Sequence, residues 1–105
     1  MKYHITRTDV ADSQIRSIIL YVAEKFGTDV ALQKLNALEQ GILTLADNPN
    51  IGIKPRYLVL KRQGCQILIL EKNLVFYKVN EGQKEAIIYT VIDQRQDYLN
   101  IIRNL

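Results

Sequence analysis

The chain has 105 residues, a length that fits one domain, and we treat residues 1–105 as a single domain. Hydrophobic residues make up 48% and charged residues 24% of it, which is typical of a globular domain and excludes a low-complexity or disordered chain. No apolar run approaches the roughly 18 residues that a membrane span requires. The first ten residues also lack the apolar core of a secretory signal. We therefore expect a cytoplasmic protein that does not interact with a membrane.

Positive charge is concentrated in the middle third of the chain. The whole sequence carries 14 Lys and Arg against 11 Asp and Glu, a net charge of +3. Residues 53–84 carry seven basic and two acidic side chains, a net charge of +5, whereas each flanking region has a net charge of −1. An acidic partner is therefore expected to bind the middle third.

The N-terminal half predicts a strand followed by a helical hairpin. Residues 2–7 alternate apolar and polar side chains, as a short half-buried strand does. Thr8 can cap a helix that Gly27 ends, and a second helix then extends to Asn48-Pro49. The short joint makes the two helices antiparallel. The predicted core positions are Ala11, Ile15, Ile18, Ile19, Val22 and Phe26 in the first helix and Ala31, Leu35, Leu38, Ile42 and Leu45 in the second.

The remaining sequence predicts a β-meander. Consecutive strands joined by short turns favour antiparallel pairing. A short helix capped by Asp97 would follow the last strand. The predicted fold is therefore α+β, with an N-terminal strand, an antiparallel two-helix hairpin packed on an antiparallel sheet and a short C-terminal helix. The predicted strands of the meander are Tyr57–Leu60, Cys65–Leu70, Leu74–Val79 and Glu85–Ile92.

Most catalytic signatures are missing from the sequence. The single histidine, His4, is more typical of a surface position on a strand than of a metal ligand, and no cluster of ligands accompanies it. The single cysteine, Cys65, lies in an apolar strand and is more typical of a buried, inert thiol than of a nucleophile. No glycine-rich phosphate-binding loop occurs. We therefore expect neither a metal nor any other cofactor.

Two polar features remain as candidates for a functional site. A tail from Asp93 to Tyr98 follows a buried strand at the rim of the sheet, where sites are often built. The same tail is equally consistent with a helix cap and a local ion pair between Arg95 and Asp97. The second feature is a basic stretch that suits a phosphate-rich partner, or equally a strand edge protected against aggregation by its charges. Its residues are Lys54, Arg56, Lys61 and Arg62.

Three local patterns occur in a characteristic order: LEQGILTLADNP in the second helix, LVFYKVNEG in the hairpin, and IIYTVIDQRQDYLNII in the closing strand and tail. With the order of the elements, they resemble the RelE/ParE superfamily of bacterial toxins, the toxin halves of type II toxin–antitoxin pairs. The resemblance covers nearly the whole chain and implies the α+β fold predicted above.

The superfamily has two activities. RelE-like members cleave mRNA on the ribosome without a metal, and ParE-like members inhibit DNA gyrase. RelE-like members carry two strand lysines and a hairpin arginine. The resemblance places these at Cys65, Ile67 and Leu74 of this sequence. Most of the basic residues that ribonuclease catalysis needs are therefore absent here. The long hairpin and the Arg-x-Asp pattern of Arg95 and Asp97 favour the ParE-like branch.

The resemblance therefore implies a plasmid-stabilising, ParE-like toxin that arrests growth by binding DNA gyrase and has no catalytic residues. Two alternatives remain. One is a RelE-like mRNA endonuclease that binds the ribosome and mRNA, with Lys61, Arg62, Arg95 and Tyr98 as its catalytic residues. The other is an inactive module, because Gln66 and Asp93 replace an arginine and a histidine that are common in ParE-like members. The candidate target-binding residues are Lys54, Arg56, Lys61, Arg62, Arg95 and Tyr98.

The resemblance also implies a cognate antitoxin, encoded beside the toxin, that wraps a helix and an extended segment around it to form a hetero-oligomer. The basic middle third favours an acidic wrapping segment. Apolar residues outside the two helix stripes are candidate antitoxin contacts, although they can equally complete the core. These residues are Leu20, Leu32 and Leu43.

Overall fold

Two long helices on a four-stranded sheet form the described part of the chain, residues 2–55, 58–70 and 72–93 of a computed structural model. A 3₁₀ turn, Thr44–Ala46, continues the second helix. The C-terminal helix predicted from Asp97 lies outside the described residues. The helices are α1 (Asp9–Phe26), α2 (Thr28–Leu43) and the short α3 (Leu58–Arg62), and the strands are β1 (His4–Arg7), β2 (Cys65–Ile69), β3 (Asn73–Asn80) and β4 (Glu85–Asp93).

The strands form one sheet in the order β1-β4-β3-β2. Antiparallel pairing of β2, β3 and β4 confirms the predicted meander. β1 pairs with β4 in parallel, with His4 opposite Glu85, so the sheet is mixed. The register between β3 and β4 shifts between Phe76 and Tyr77, which leaves Tyr89 as an extra residue on β4.

Capping residues determine the ends of α1. The Thr8 hydroxyl accepts a hydrogen bond from the Ala11 backbone N–H at 3.1 Å. Gly27 ends the helix with a φ of 95°, a left-handed conformation that glycine adopts without strain. Its backbone N–H donates to the Ala23 carbonyl at 3.0 Å. Because α2 begins at the next residue, the two helices form the predicted hairpin.

The hairpin packs on one face of the sheet. All the core positions predicted for the second helix are buried or packed against the core. In α1, the prediction for Phe26 is wrong: this side chain is 65% exposed because it is the last residue of the helix, at the hairpin joint. The buried cluster between helices and sheet consists of Ala11, Ile15, Leu38, Ile42, Leu45, Leu68, Val75, Tyr77, Ala86, Ile88 and Val91.

The short helix α3 occupies a segment that the sequence predicts to be a strand. Because Leu58–Arg62 is helical, the predicted strand Tyr57–Leu60 is wrong from residue 58 onwards. A strand there would need a sheet edge, and the outer edge of β2 is already bridged by Ile53, which exchanges two backbone hydrogen bonds of 2.8 Å with Ile67.

Within the described ranges, no helix is both long and apolar enough to cross a membrane.

Candidate functional site

The described residues of the basic stretch lie near the outer edge of β2, the edge that Ile53 bridges. Lys54 directly follows the bridge that Ile53 makes with β2, while Lys61 and Arg62 form the last turn of α3, which packs against β2. All three cationic side chains are exposed and form no ion pair with the described residues. Arg56 lies outside the described residues. Lys54, Lys61 and Arg62 are therefore exposed to solvent on segments that adjoin β2, and we call these three residues the basic edge.

Hydrogen bonds from the sheet fix the loop that precedes Lys54. The Gly52 backbone N–H donates to the Tyr77 hydroxyl at 2.9 Å, and that hydroxyl donates to the Gln66 side-chain oxygen at 3.3 Å. The Gln66 amide in turn donates to the Asn50 side chain at 2.9 Å. Sequence alternation puts Tyr77 on the same face as Val75 and Val79, where it is 0% exposed, but no local pattern identifies the loop that its hydroxyl binds.

Two basic side chains near the β3–β4 turn, Lys78 and Lys84, interact with neighbouring side chains. Lys84 lies 3.7 Å from the Glu81 carboxylate, which also accepts a hydrogen bond from the Tyr3 hydroxyl. The Tyr3 hydroxyl, and to a lesser extent the charge of Lys84, holds the pKa of Glu81 below its usual range. Lys78 lies over the ring of Tyr89, 5.2 Å from its centroid. These contacts hold Lys78 and Lys84 in place and distinguish them from the basic edge.

The face of the sheet opposite the hairpin is apolar at its centre. Cys65 and Ile67 of β2 lie opposite Lys78 and Phe76 of β3, and Leu74 lies next to them on the same face. A second buried cluster therefore covers the positions at which a RelE-like ribonuclease is expected to carry cations. Its members, 1% to 8% exposed, are Cys65, Ile67, Leu74, Phe76 and Ile92.

Cys65 is buried, which confirms the prediction of a buried thiol. Burial raises the pKa of its thiol, and the positive charge of Lys78 only partly opposes that effect. A thiol with a raised pKa is a poor nucleophile at neutral pH, because the reactive species is the thiolate. His4, the single histidine of the sequence, is exposed at the start of β1, as predicted.

A shallow groove of about 180 Å³ runs between α1 and the C-terminal end of β4. The Gln14 side-chain oxygen accepts a hydrogen bond from the Val91 backbone N–H at 2.8 Å in this groove. Asp93 is the single ionisable residue among those of the lining that the structure describes, so they supply no acid–base pair. Among the described residues, no three His, Cys, Asp or Glu side chains are grouped to hold a metal ion. The groove is lined by Ser13, Gln14, Ser17, Ile18, Val91, Ile92 and Asp93.

The candidate residues of the tail, Arg95 and Tyr98, lie outside the described residues. The candidate antitoxin contacts are described, and none of them completes the core. Leu20 is 63% exposed on α1, while Leu32 and Leu43 are 57% and 53% exposed on α2. The last two lie about three turns apart and therefore on one side of their helix.

Comparisons with known proteins agree with this architecture. Residues 5–98 match the model of the ParE toxin of the type II toxin–antitoxin system parDE. No curated protein matches the chain significantly. Apart from His4 at the start of β1, the described hairpin and sheet therefore lie within the region that the family model covers.

Solved structures share the fold at low sequence identity. A structure of the chromosomal ParDE toxin–antitoxin system from P. aeruginosa superposes with a TM-score of 0.72 at 19% identity, covering 88% of this chain and 96% of that one. The RelBE2 toxin–antitoxin complex from Mycobacterium tuberculosis gives a TM-score of 0.65 at 14% identity, with coverages of 91% and 95%. The isolated E. coli RelE toxin gives 0.59 at 17% identity, with 97% of each chain covered.

The family model spans most of the chain, and the solved structures share the fold of this chain. This chain belongs to the ParE toxin family of type II toxin–antitoxin systems, within the RelE/ParE superfamily.

Proposed function

We propose that this toxin arrests bacterial growth by binding DNA gyrase and that it breaks no bond itself. The observation that carries the proposal is the apolar cluster on the outer face of the sheet. Ribonuclease chemistry without a metal needs side chains that move protons and stabilise phosphate charge. The three positions where the resemblance places such side chains are occupied by Cys65, Ile67 and Leu74, all buried.

The charge distribution supports a binding role. The basic edge, Lys54, Lys61 and Arg62, is exposed and unpaired among the described residues. We propose that it contacts the target together with Arg56, Arg95 and Tyr98. Lysine and arginine at the rim of an interface mainly steer a partner of opposite charge and set the association rate, so binding should weaken as salt is raised.

The exposed leucines of the hairpin support a separate surface for the cognate antitoxin. Leu20, Leu32 and Leu43 do not complete the core, so their exposed apolar area remains for a partner. We propose that an acidic antitoxin encoded beside the toxin covers them and forms a hetero-oligomer with it in the cytoplasm.

Induced expression of the chain in bacteria tests the proposed target, with DNA breaks and mRNA integrity read from the same culture. Growth arrest with DNA breaks and intact mRNA is the expected result. Arrest with translation-dependent mRNA cuts would overturn the proposal in favour of the RelE-like ribonuclease. Normal growth, with the chain present at a level confirmed by immunoblot, would contradict it in favour of an inactive module of the same fold.

A further inference from the structure

The loop before the basic edge is tied to the sheet by side chains of the sheet itself. The buried Tyr77 hydroxyl accepts from the Gly52 N–H at 2.9 Å and donates to Gln66, which holds Asn50. At the end of the loop, Ile53 exchanges two backbone hydrogen bonds with β2. Lys54 follows directly, so the position of this member of the basic edge depends on this set of bonds.

Gly52 also lies in close van der Waals contact with Tyr77 and with the backbone of β2. A Cβ at this position would lie 2.6 Å from the Tyr77 hydroxyl oxygen and 2.9 Å from the Ile67 carbonyl oxygen. Neither partner has room to move, since the tyrosine is 0% exposed and the carbonyl belongs to β2. The loop therefore lies against the sheet at a distance that only glycine allows.

We infer that Tyr77 is a positioning residue for target binding: its hydroxyl holds the Asn50–Ile53 loop and thereby aligns Lys54, the member of the basic edge that follows the loop. This inference rests on the proposed function, because it assumes that the basic edge contacts gyrase. The hydrophobic ring of Tyr77 serves the core, and phenylalanine would serve it equally well. The hydroxyl is needed for the loop.

The substitution Tyr77→Phe isolates the hydroxyl. It leaves the Gly52 N–H and the Gln66 side-chain oxygen without their partner, which frees the loop while the ring remains packed. We expect roughly tenfold weaker binding to purified gyrase. The matched control is Tyr89→Phe, which removes a hydroxyl from the same sheet that makes no hydrogen bond to this loop.

Hydrogen exchange gives a readout that does not depend on gyrase. In Tyr77→Phe, the amides of Gly52 and Ile53 should exchange faster, while those in the middle of β3 and β4 keep their protection. A general loss of core stability would instead raise exchange throughout the sheet. If Tyr77→Phe does not fold, Gly52→Ala displaces the same loop, and Gly82→Ala is its control because a Cβ there has no contact closer than 3.5 Å.

The outcomes separate this inference from the proposed function. Weaker gyrase binding and faster exchange at Gly52 in Tyr77→Phe, with neither change in Tyr89→Phe, would support the inference. Equal gyrase binding by the wild-type chain and Tyr77→Phe would overturn it and leave the proposed function standing. Failure of the wild-type chain to bind gyrase would overturn both.

Discussion

Cys65 shows how burial determines the chemistry of a single residue. Its thiol is 7% exposed in a cluster of aliphatic and aromatic side chains, and burial raises its pKa above the ordinary value of 9.0. The unfolded chain therefore releases this proton at a lower pH than the folded chain. The contribution to stability is complete below pH 9.0 and is lost as the pH rises through the pKa of the folded state.

The substitution Cys65→Ala tests this linkage. We expect the free energy of unfolding of the wild-type chain to fall more steeply as the pH rises above 9.0 than that of the variant, because the variant has no thiol to ionise. Urea unfolding at a series of pH values measures both slopes. Tyr77 remains in both proteins; its pKa is also raised, mainly by burial, and the charge of Cys65 is the smallest of the causes of that shift. Identical slopes would show that the pKa of Cys65 is the same in the folded and unfolded chain, which would contradict this prediction.

Tyr77 marks the limit of what local patterns predict at the residue scale. Alternation along β3 correctly places it on the same face as Val75, in the core. The partner of its hydroxyl, Gly52, is 25 residues away along the chain, and no periodicity links the two positions. Burial can be predicted from neighbours in sequence, whereas this polar contact depends on the folded arrangement of the loop.

Thr8 is a single residue that both caps a helix and connects it to the sheet. Its side chain accepts from the Ala11 N–H and donates to the Tyr89 carbonyl at 3.2 Å, so it caps α1 and ties the helix to β4. We expect Thr8→Ala to lower the free energy of unfolding by about 1–2 kcal/mol, measured by urea titration. Thr44→Ala is the control, since that exposed hydroxyl bonds only the Gly41 carbonyl of its own helix. Equal losses in the two variants would contradict the capping role.

At the scale of elements, the two long helices are predictable because their periodicity agrees with their caps. The short helix α3 is not predictable from the sequence, because the apolar run Leu58–Leu60 is too short to distinguish a helix from a strand. Its conformation depends on the edge of β2, which Ile53 bridges from a loop. The same feature explains why Lys61 and Arg62, predicted to follow a strand, lie on a helix instead.

α2 has two faces with different expected roles. Leu38 is 2% exposed in the core, and Leu32 is 57% exposed. We expect Leu32→Ala to change the free energy of unfolding by less than about 0.5 kcal/mol while weakening the antitoxin complex. Leu38→Ala should cost about 2–5 kcal/mol because it leaves a cavity. Unfolding curves and titration with the antitoxin measure the two effects, and unchanged antitoxin affinity in Leu32→Ala would remove this residue from the proposed interface.

The basic edge can be tested through α3. The double substitution Lys61→Ala/Arg62→Ala should weaken growth arrest and gyrase binding while leaving stability nearly unchanged, because both side chains are exposed and make no ion pair with the described residues. Arg16→Ala/Lys25→Ala removes the same charge from exposed positions on α1 and is the matched control. Equal weakening by the two pairs, read in a gyrase titration, would indicate a general effect of net charge.

For the whole molecule, the layer arrangement can be predicted and the sheet order only in part. Consecutive strands with short turns specify the meander β2-β3-β4. The place of β1 beside β4 joins the two ends of the described chain, with His4 opposite Glu85, and no local pattern encodes so long a separation. The resemblance supplies the family, and the structure adds that the two faces of the sheet differ: one carries the hairpin, and the other carries the apolar cluster with Cys65.

The activity that we propose for the chain is inhibition of gyrase by binding, with RNA left intact. The most direct measurement adds the purified chain to purified gyrase and supercoilable plasmid, and in parallel to translating ribosomes with a defined mRNA. We expect loss of supercoiling at toxin concentrations comparable to those of gyrase, relieved by the antitoxin, with full-length mRNA throughout. Unchanged supercoiling together with mRNA cut on the ribosome would contradict the account.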